Sequence, residues 1–154
     1  MRIRSSKVVV FLLTFFILLS QVFTSSFALA DNKVPFTIFH TNDMHGRLGY
    51  EEYKGKPTSF GSAREKALID KEKKENPNRT VIALDAGDAF QGLPVSNQSK
   101  GQDMAKAMNE IGYKAMAAGN HEFDFGLDTV EKYKNNPLNG GWLNFPILST
   151  NVYK

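Results

Sequence analysis

Apolar residues fall in short runs that break off at glycine and polar side chains, and the stretches between the runs carry helical spacing. Phe36, Ile38 and Phe39 predict a buried strand that opens into the loop Asn42-Asp43-Met44-His45-Gly46. Residues 80–84 predict a second strand, running into Asp85-Ala86-Gly87-Asp88. Residues 115–118 predict a third, short and built of small side chains, running into Gly119-Asn120-His121-Glu122-Phe123-Asp124, and residues 145–151 predict a fourth. Residues 62–75 have helical spacing with Ala63, Ala67 and Leu68 on one face, and residues 103–111 place Met104, Met108 and Ile111 on another, with Gly112 as the stop. A third helix is expected over residues 127–135, before Pro137, and a turn at Asn139-Gly140-Gly141. Residues 48–57 and 90–101 read as loops. Strands alternating with helices of crossover length imply an α/β fold with a parallel sheet. The loops after such strands gather along one edge, where ligands bind.

Those loops carry the candidate chemistry. Asp-X-His puts a carboxylate and an imidazole on one turn, a donor pair that suits Zn, Mn or Fe better than Ca or Mg. Alone the pattern is common in surface loops. It gains weight because the ends of the second and third strands repeat it with Asp88, Asn120 and His121. Asp85 reads as a partner of local backbone groups, His40 as structural on the face opposite Thr41, and Arg47 as an exposed arginine.

His40-Thr41-Asn42-Asp43-Met44-His45-Gly46, Asp85-Ala86-Gly87-Asp88 and Gly119-Asn120-His121-Glu122-Phe123-Asp124 together resemble the calcineurin-like metallophosphoesterases, in particular the secreted 5′-nucleotidase and 2′,3′-cyclic-nucleotide phosphodiesterase branch. The resemblance implies a four-layer αββα sandwich, of which this chain holds an incomplete part. It implies two divalent cations, Mn or Zn, with Asp43 and His45 on the first, Asp88 bridging, and Asn120 on the second. His121 would then assist departure of the leaving oxygen in phosphoester hydrolysis, with Asp124 orienting its ring.

The resemblance starts near residue 34. Before it, Arg2, Arg4 and Lys7 precede the apolar residues 8–19, interrupted only by Thr14, and Ala28-Leu29-Ala30 follows. This is the pattern of a secretory signal peptide over residues 1–30 cleaved after Ala30, leaving residues 31–154, and the apolar run is shorter than the roughly 20 residues of a membrane span. The leader holds the whole basic excess: 19 Lys+Arg face 16 Asp+Glu in the full chain, and three of the basic residues are Arg2, Arg4 and Lys7. Nothing in the remainder argues for a nucleic-acid surface. The absence of cysteine excludes disulfides, thiol chemistry and a lipid-anchored cysteine.

The family's later histidines, in a Gly-His-X-His type segment, have no counterpart among His40, His45 and His121. The expectation is therefore an N-terminal portion of a secreted nucleotide phosphoesterase, or else a non-catalytic metal-binding or interaction module. Either way one sheet face, drawn from Phe36, Ile38, Val81 and Ile147, is expected to lack cover, with poor stability and little activity as the result.

Overall fold

The computed structural model describes residues 10, 13–15, 33–134, 137–150 and 152. Two compact units divide at Lys33. In the first, residues 10 and 13–15 are helical, and Thr14 Oγ1 donates to the Val10 carbonyl at 3.0 Å. The remainder of the leader and its expected cleavage point lie outside the described residues. No helix among the described residues is long and apolar enough to cross a membrane.

The second unit is built on a parallel sheet of order β1-β4-β5-β6, with β1 at Phe36–Thr41, β4 at Thr80–Asp85, β5 at Ala115–Ala117 and β6 at Ile147–Leu148. Helix α1 (Gly61–Glu75) connects towards β4, and α3 (Gln102–Ile111) towards β5. The α/β class and the parallel strands are as the alternation predicts. Met104, Met108 and Ile111 are buried, and Gly112 ends α3 in the left-handed region with its N–H on the Met108 carbonyl. Burial of each such side chain contributes about 1.5–3 kcal/mol.

Register sorts the strand residues into two faces. Thr37, Phe39 and Thr41 lie opposite Val81, Ala83 and Asp85, and this face looks towards the helices: Thr37 Oγ1 donates to Glu72 Oε1 of α1 at 2.8 Å. Phe36, Ile38 and His40 point the other way, as does Leu148 at the far edge; Phe36 is 61 % exposed and Ile38 49 %. The buried strand read from Phe36 and Ile38 is therefore corrected, since only Phe39 faces the core. Val81 and Ile147 also pack on the core side and leave the expected bare face to Phe36 and Ile38.

Several elements differ from their sequence reading. The loop at 48–57 contains a hairpin of β2 (Glu51–Tyr53) and β3 (Lys56–Ser59), turned by Lys54 and Gly55 at φ 51° and 72°. Two successive positive φ values match the twist of the flanking strands. The segment 90–101 contains a short helix, α2 (Pro94–Asn97), opened by Pro94 in the first turn. In α1 the expected face is the solvent face: Ala63, Ala67 and Leu68 are exposed, whereas Ser62 and Ile69 are buried and Glu65 and Glu72 half-buried. The two glutamates turn inward because Tyr113 and Thr37 offer them hydroxyls. The fourth strand is confined to two residues.

Helix α4 (Leu127–Lys134) sets Tyr133 flat on Phe90, with ring centroids 4.1 Å apart. Its hydroxyl donates to the Lys100 carbonyl at 2.6 Å. Both rings are fully buried, which fixes the segment just beyond Asp88.

Candidate metal centre

Beyond their last paired residues β1 and β4 stay joined through the backbone. The Asp43, His45 and Gly46 N–H groups donate to the carbonyls of Gly87, Asp88 and Ala89 at 3.0, 3.0 and 2.9 Å. Following that irregular track forces Asp43, His45 and Asp88 to φ 52°, 47° and 58°. Left-handed backbone costs a residue with a Cβ about 1–2 kcal/mol, least for Asp and its like. All three of these residues carry candidate donors.

The result is a group of three donor atoms, from Asp43, His45 and Asp88, that lie within 4.8 Å of one another. His45 Nδ1 is 2.8 Å from the Gln91 carbonyl, which can only accept, so in the neutral ring Nδ1 carries the proton and Nε2 the lone pair. Nε2 is 3.8 Å from Asp43 Oδ1, while Asp43 Oδ2 accepts from the Asn42 amide at 2.7 Å. A carbonyl behind an imidazole is the usual support for a metal-binding histidine. Two carboxylates and an oriented imidazole fit a Mn- or Zn-type divalent ion.

The third loop joins this group at Asp88, whose Oδ1 accepts the His121 backbone N–H at 2.9 Å. The His45 and His121 rings meet edge to face with centroids 5.2 Å apart. His121 Nδ1 is 2.7 Å from Asp124 Oδ2, and this hydrogen bond holds the histidine's pKa above its ordinary value despite partial desolvation. Asn120 is exposed just before the short 3-10 turn His121–Phe123. Its neighbour Gly119 is required by contact, because a Cβ there would run into the Asp88 carboxylate, with Cγ at 2.8 Å.

Glu122 is the residue that the sequence reading passed over. Fully buried, it accepts the N–H groups of Asp88 and Gly119 on Oε2, at 2.8 and 2.7 Å, and that of Ala89 on Oε1 at 2.8 Å. One carboxylate thus ties the second loop to the third. Its grip on the N–H three residues earlier resembles the backward half of a capping box, a signal available in Gly119-Asn120-His121-Glu122.

Asp85 makes local contacts. Oδ1 accepts the Gly87 N–H at 2.8 Å and Oδ2 the Thr41 hydroxyl at 2.6 Å, and Thr41 is 2.7 Å from the Tyr113 hydroxyl. Burial pushes the Asp85 carboxyl up to about 6, against the lowering effect of these hydrogen bonds. Arg47 pairs with Glu51 at 3.4 Å, and His40 is exposed.

The calcineurin-like phosphoesterase profile matches residues 36–153, a span that includes all three loops. A 5′-nucleotidase of Vibrio vulnificus is 40 % identical over 126 residues, covering 80 % of this chain and 21 % of the relative. Protein UshA of Escherichia coli is 35 % identical over 159 residues, covering all of this chain and 26 % of the relative. The crystal structure of a 5′-nucleotidase precursor from Thermus thermophilus superposes with a TM-score of 0.61 at 36 % identity, over 74 % of this chain and 22 % of that one. The chain thus spans about a fifth to a quarter of the relatives' length. Since the matched span runs through the sheet and every loop of the donor group, the chain belongs to the calcineurin-like phosphoesterase family.

Proposed function

We propose that this chain contributes the metal-binding edge of a 5′-nucleotidase-type phosphoester hydrolase. The single observation that carries the reading is the convergence of Asp43, His45 and Asp88 beside the His121–Asp124 pair. Asp43 and His45 would hold one divalent ion, Mn or Zn, with Asp88 shared and Asn120 completing contacts to a second. Bound there, such ions stabilise negative charge on phosphoryl oxygens and supply an activated water. In the hydrolysis the water oxygen bonds to phosphorus as the ester P–O bond breaks, and the leaving oxygen takes a proton. His121 gives that proton from Nε2, while Asp124 keeps Nδ1–H in place and raises the basicity of the ring. The substrate class is a nucleotide monoester, as the 5′-nucleotidase relatives suggest, or the cyclic ester of the phosphodiesterase branch that the three motifs resemble.

Calorimetric titration with Mn tests the centre. Asp88→Asn is expected to weaken binding by about 10- to 100-fold, on the order found for disturbed metal sites. Asp85→Asn, which can still accept from Gly87, is expected to weaken it by less than about threefold. Equal losses in the two variants would remove Asp88 from the ligand set.

Export is part of the same reading, because the basic and apolar leader ends in Ala28-Leu29-Ala30. Protein recovered from the medium or periplasm is expected to begin at Asp31 by mass spectrometry. An intact Met1 in the membrane fraction would show an anchor instead.

A further inference from the structure

The segment after Asp88 turns back onto His45. The Leu93 N–H donates to the His45 carbonyl at 2.9 Å, and the Gln91 carbonyl lies 2.8 Å from His45 Nδ1. Between them Gly92 sits at φ 150°, where a Cβ would stand 2.5 Å from the His45 carbonyl oxygen and 2.6 Å from the His45 Cβ. Only glycine lets the chain pass so close to the histidine. Glycine also leaves the peptide before it free to turn, so another group has to hold the Gln91 carbonyl on the ring.

Asn97, the last residue of α2, supplies that group. The Gly92 N–H donates to Asn97 Oδ1 at 2.8 Å, and Asn97 Nδ2 donates to the Gly92 carbonyl at 2.9 Å. These two partners fix which end of the amide is oxygen. The Gln91 carbonyl and the Gly92 N–H are the two ends of one trans peptide and point opposite ways. A continuous line of hydrogen bonds therefore runs from Asn97 Oδ1 through that peptide to His45 Nδ1, and each bond in such a line polarises the next. Asn97 is itself held in place. Its own N–H donates to the Leu93 carbonyl at 3.0 Å, and the buried Ser96 hydroxyl beside it donates at 2.6 Å to the carbonyl of Phe90, whose ring stacks on Tyr133.

We propose that Asn97 is a positioning residue for His45: by clamping Gly92 on both sides it aims the Gln91 carbonyl, which keeps the proton on Nδ1 and the lone pair on Nε2. Its consequence for metal binding rests on the reading of His45 as a ligand given above. Asn97 acts through the intervening peptide and not on the ion. Without the clamp the peptide turns, Nδ1 loses its acceptor, and the ring is released to the Nε2–H tautomer. That tautomer presents a hydrogen where a cation needs a lone pair.

Nitrogen NMR of the metal-free full chain at pH about 8, where an ordinary imidazole is neutral, reads the tautomer directly. The parent is expected to hold His45 as Nδ1–H. Asn97→Ala is expected to show both tautomers in comparable amounts and to bind Mn about tenfold more weakly by calorimetry, on the order found when the partner of a metal ligand is removed. Asn97→Asp keeps an acceptor for the Gly92 N–H, and it is expected to retain Nδ1–H and to bind Mn no more than about threefold more weakly than the parent. Ser96→Ala loosens the same segment without touching the clamp. It is expected to lower the melting temperature and leave the tautomer as it was. Nε2–H in the parent, an unchanged tautomer in Asn97→Ala, or an equal switch in Ser96→Ala would overturn the proposal. If Asn97→Ala does not fold, Asn97→Asp decides alone, sustaining the proposal as Nδ1–H and overturning it as Nε2–H. Failure of the metal reading looks different, because Mn then binds none of these chains while the tautomer still follows the Asn97 substitutions.

Discussion

Replacing Glu122 by leucine is expected to lower the melting temperature by more than about 10 °C and to abolish Mn binding. The carboxylate accepts three backbone N–H groups in a place without solvent. Leucine fills the volume and strands all three donors. A buried unsatisfied donor costs about 1–3 kcal/mol, and one or two of these are enough for a shift of that size in a domain of this length. Two of the stranded groups belong to Asp88 and Ala89, so the loss falls on the loop that carries the proposed ligand Asp88. Glu122→Gln keeps one acceptor and opposes an amide N–H to a backbone N–H, which places it between leucine and the parent chain. Thermal denaturation followed by circular dichroism, with Mn titration at a temperature where the variant is folded, measures both effects. Full Mn affinity in folded Glu122→Leu would refute the link between this carboxylate and the metal loop.

In the phosphoester hydrolase to which this chain is proposed to contribute, His121→Ala is expected to slow hydrolysis of a nucleoside monophosphate by about 10²–10⁴-fold, the usual contribution of a positioned acid. The loss should depend on the leaving group. An alkoxide of ribose needs a proton, whereas p-nitrophenolate departs as the anion, so a p-nitrophenyl ester should lose less than about tenfold. Asp124→Asn tests the partner. Asp124 raises the His121 pKa, so its removal lowers that pKa. The protonated acid then disappears at lower pH, and the alkaline limb of the rate profile moves down. An unmoved limb, or equal losses on both esters, would reduce His121 to a residue that only supports Asp88.

Which parts of this were legible in the sequence follows from what each signal measures. Helix α3 was readable because Met104, Met108 and Ile111 are both apolar and buried, so hydropathy reported burial directly. In α1 hydropathy misled, since inward Glu65 and Glu72 satisfy their carboxylates on Tyr113 and Thr37 while Ala63 and Leu68 stand in solvent. Phe36 and Ile38 misled for a related reason. Alternation along a strand assigns residues to two faces without saying which face is covered. The β2–β3 hairpin was missed because its turn is Lys54-Gly55, weaker than Asn-Gly as a turn signal, and its strands do not alternate. The Asp43, His45 and Asp88 positions were visible through residue type and spacing. Glu122 was on view in the same motif, yet its partners are backbone groups, which leave no trace in side-chain identity.

Asp43 and His45 precede the entire crossover through α1, and Asp88 follows it. In the unfolded chain they are remote, and only the pairing of β1 with β4 brings their oxygens and nitrogen within 4.8 Å. A cation that recognises all three is therefore a ligand of the paired state alone. At 100 times its dissociation constant such a ligand adds about 2.7 kcal/mol to stability. That is comparable to closing a sizeable loop, the entropic cost β1 and β4 meet when they pair. A metal bound as proposed would act as a folding cofactor for this sheet, and an apparent dissociation constant measured on the chain would report the pairing equilibrium together with the intrinsic affinity.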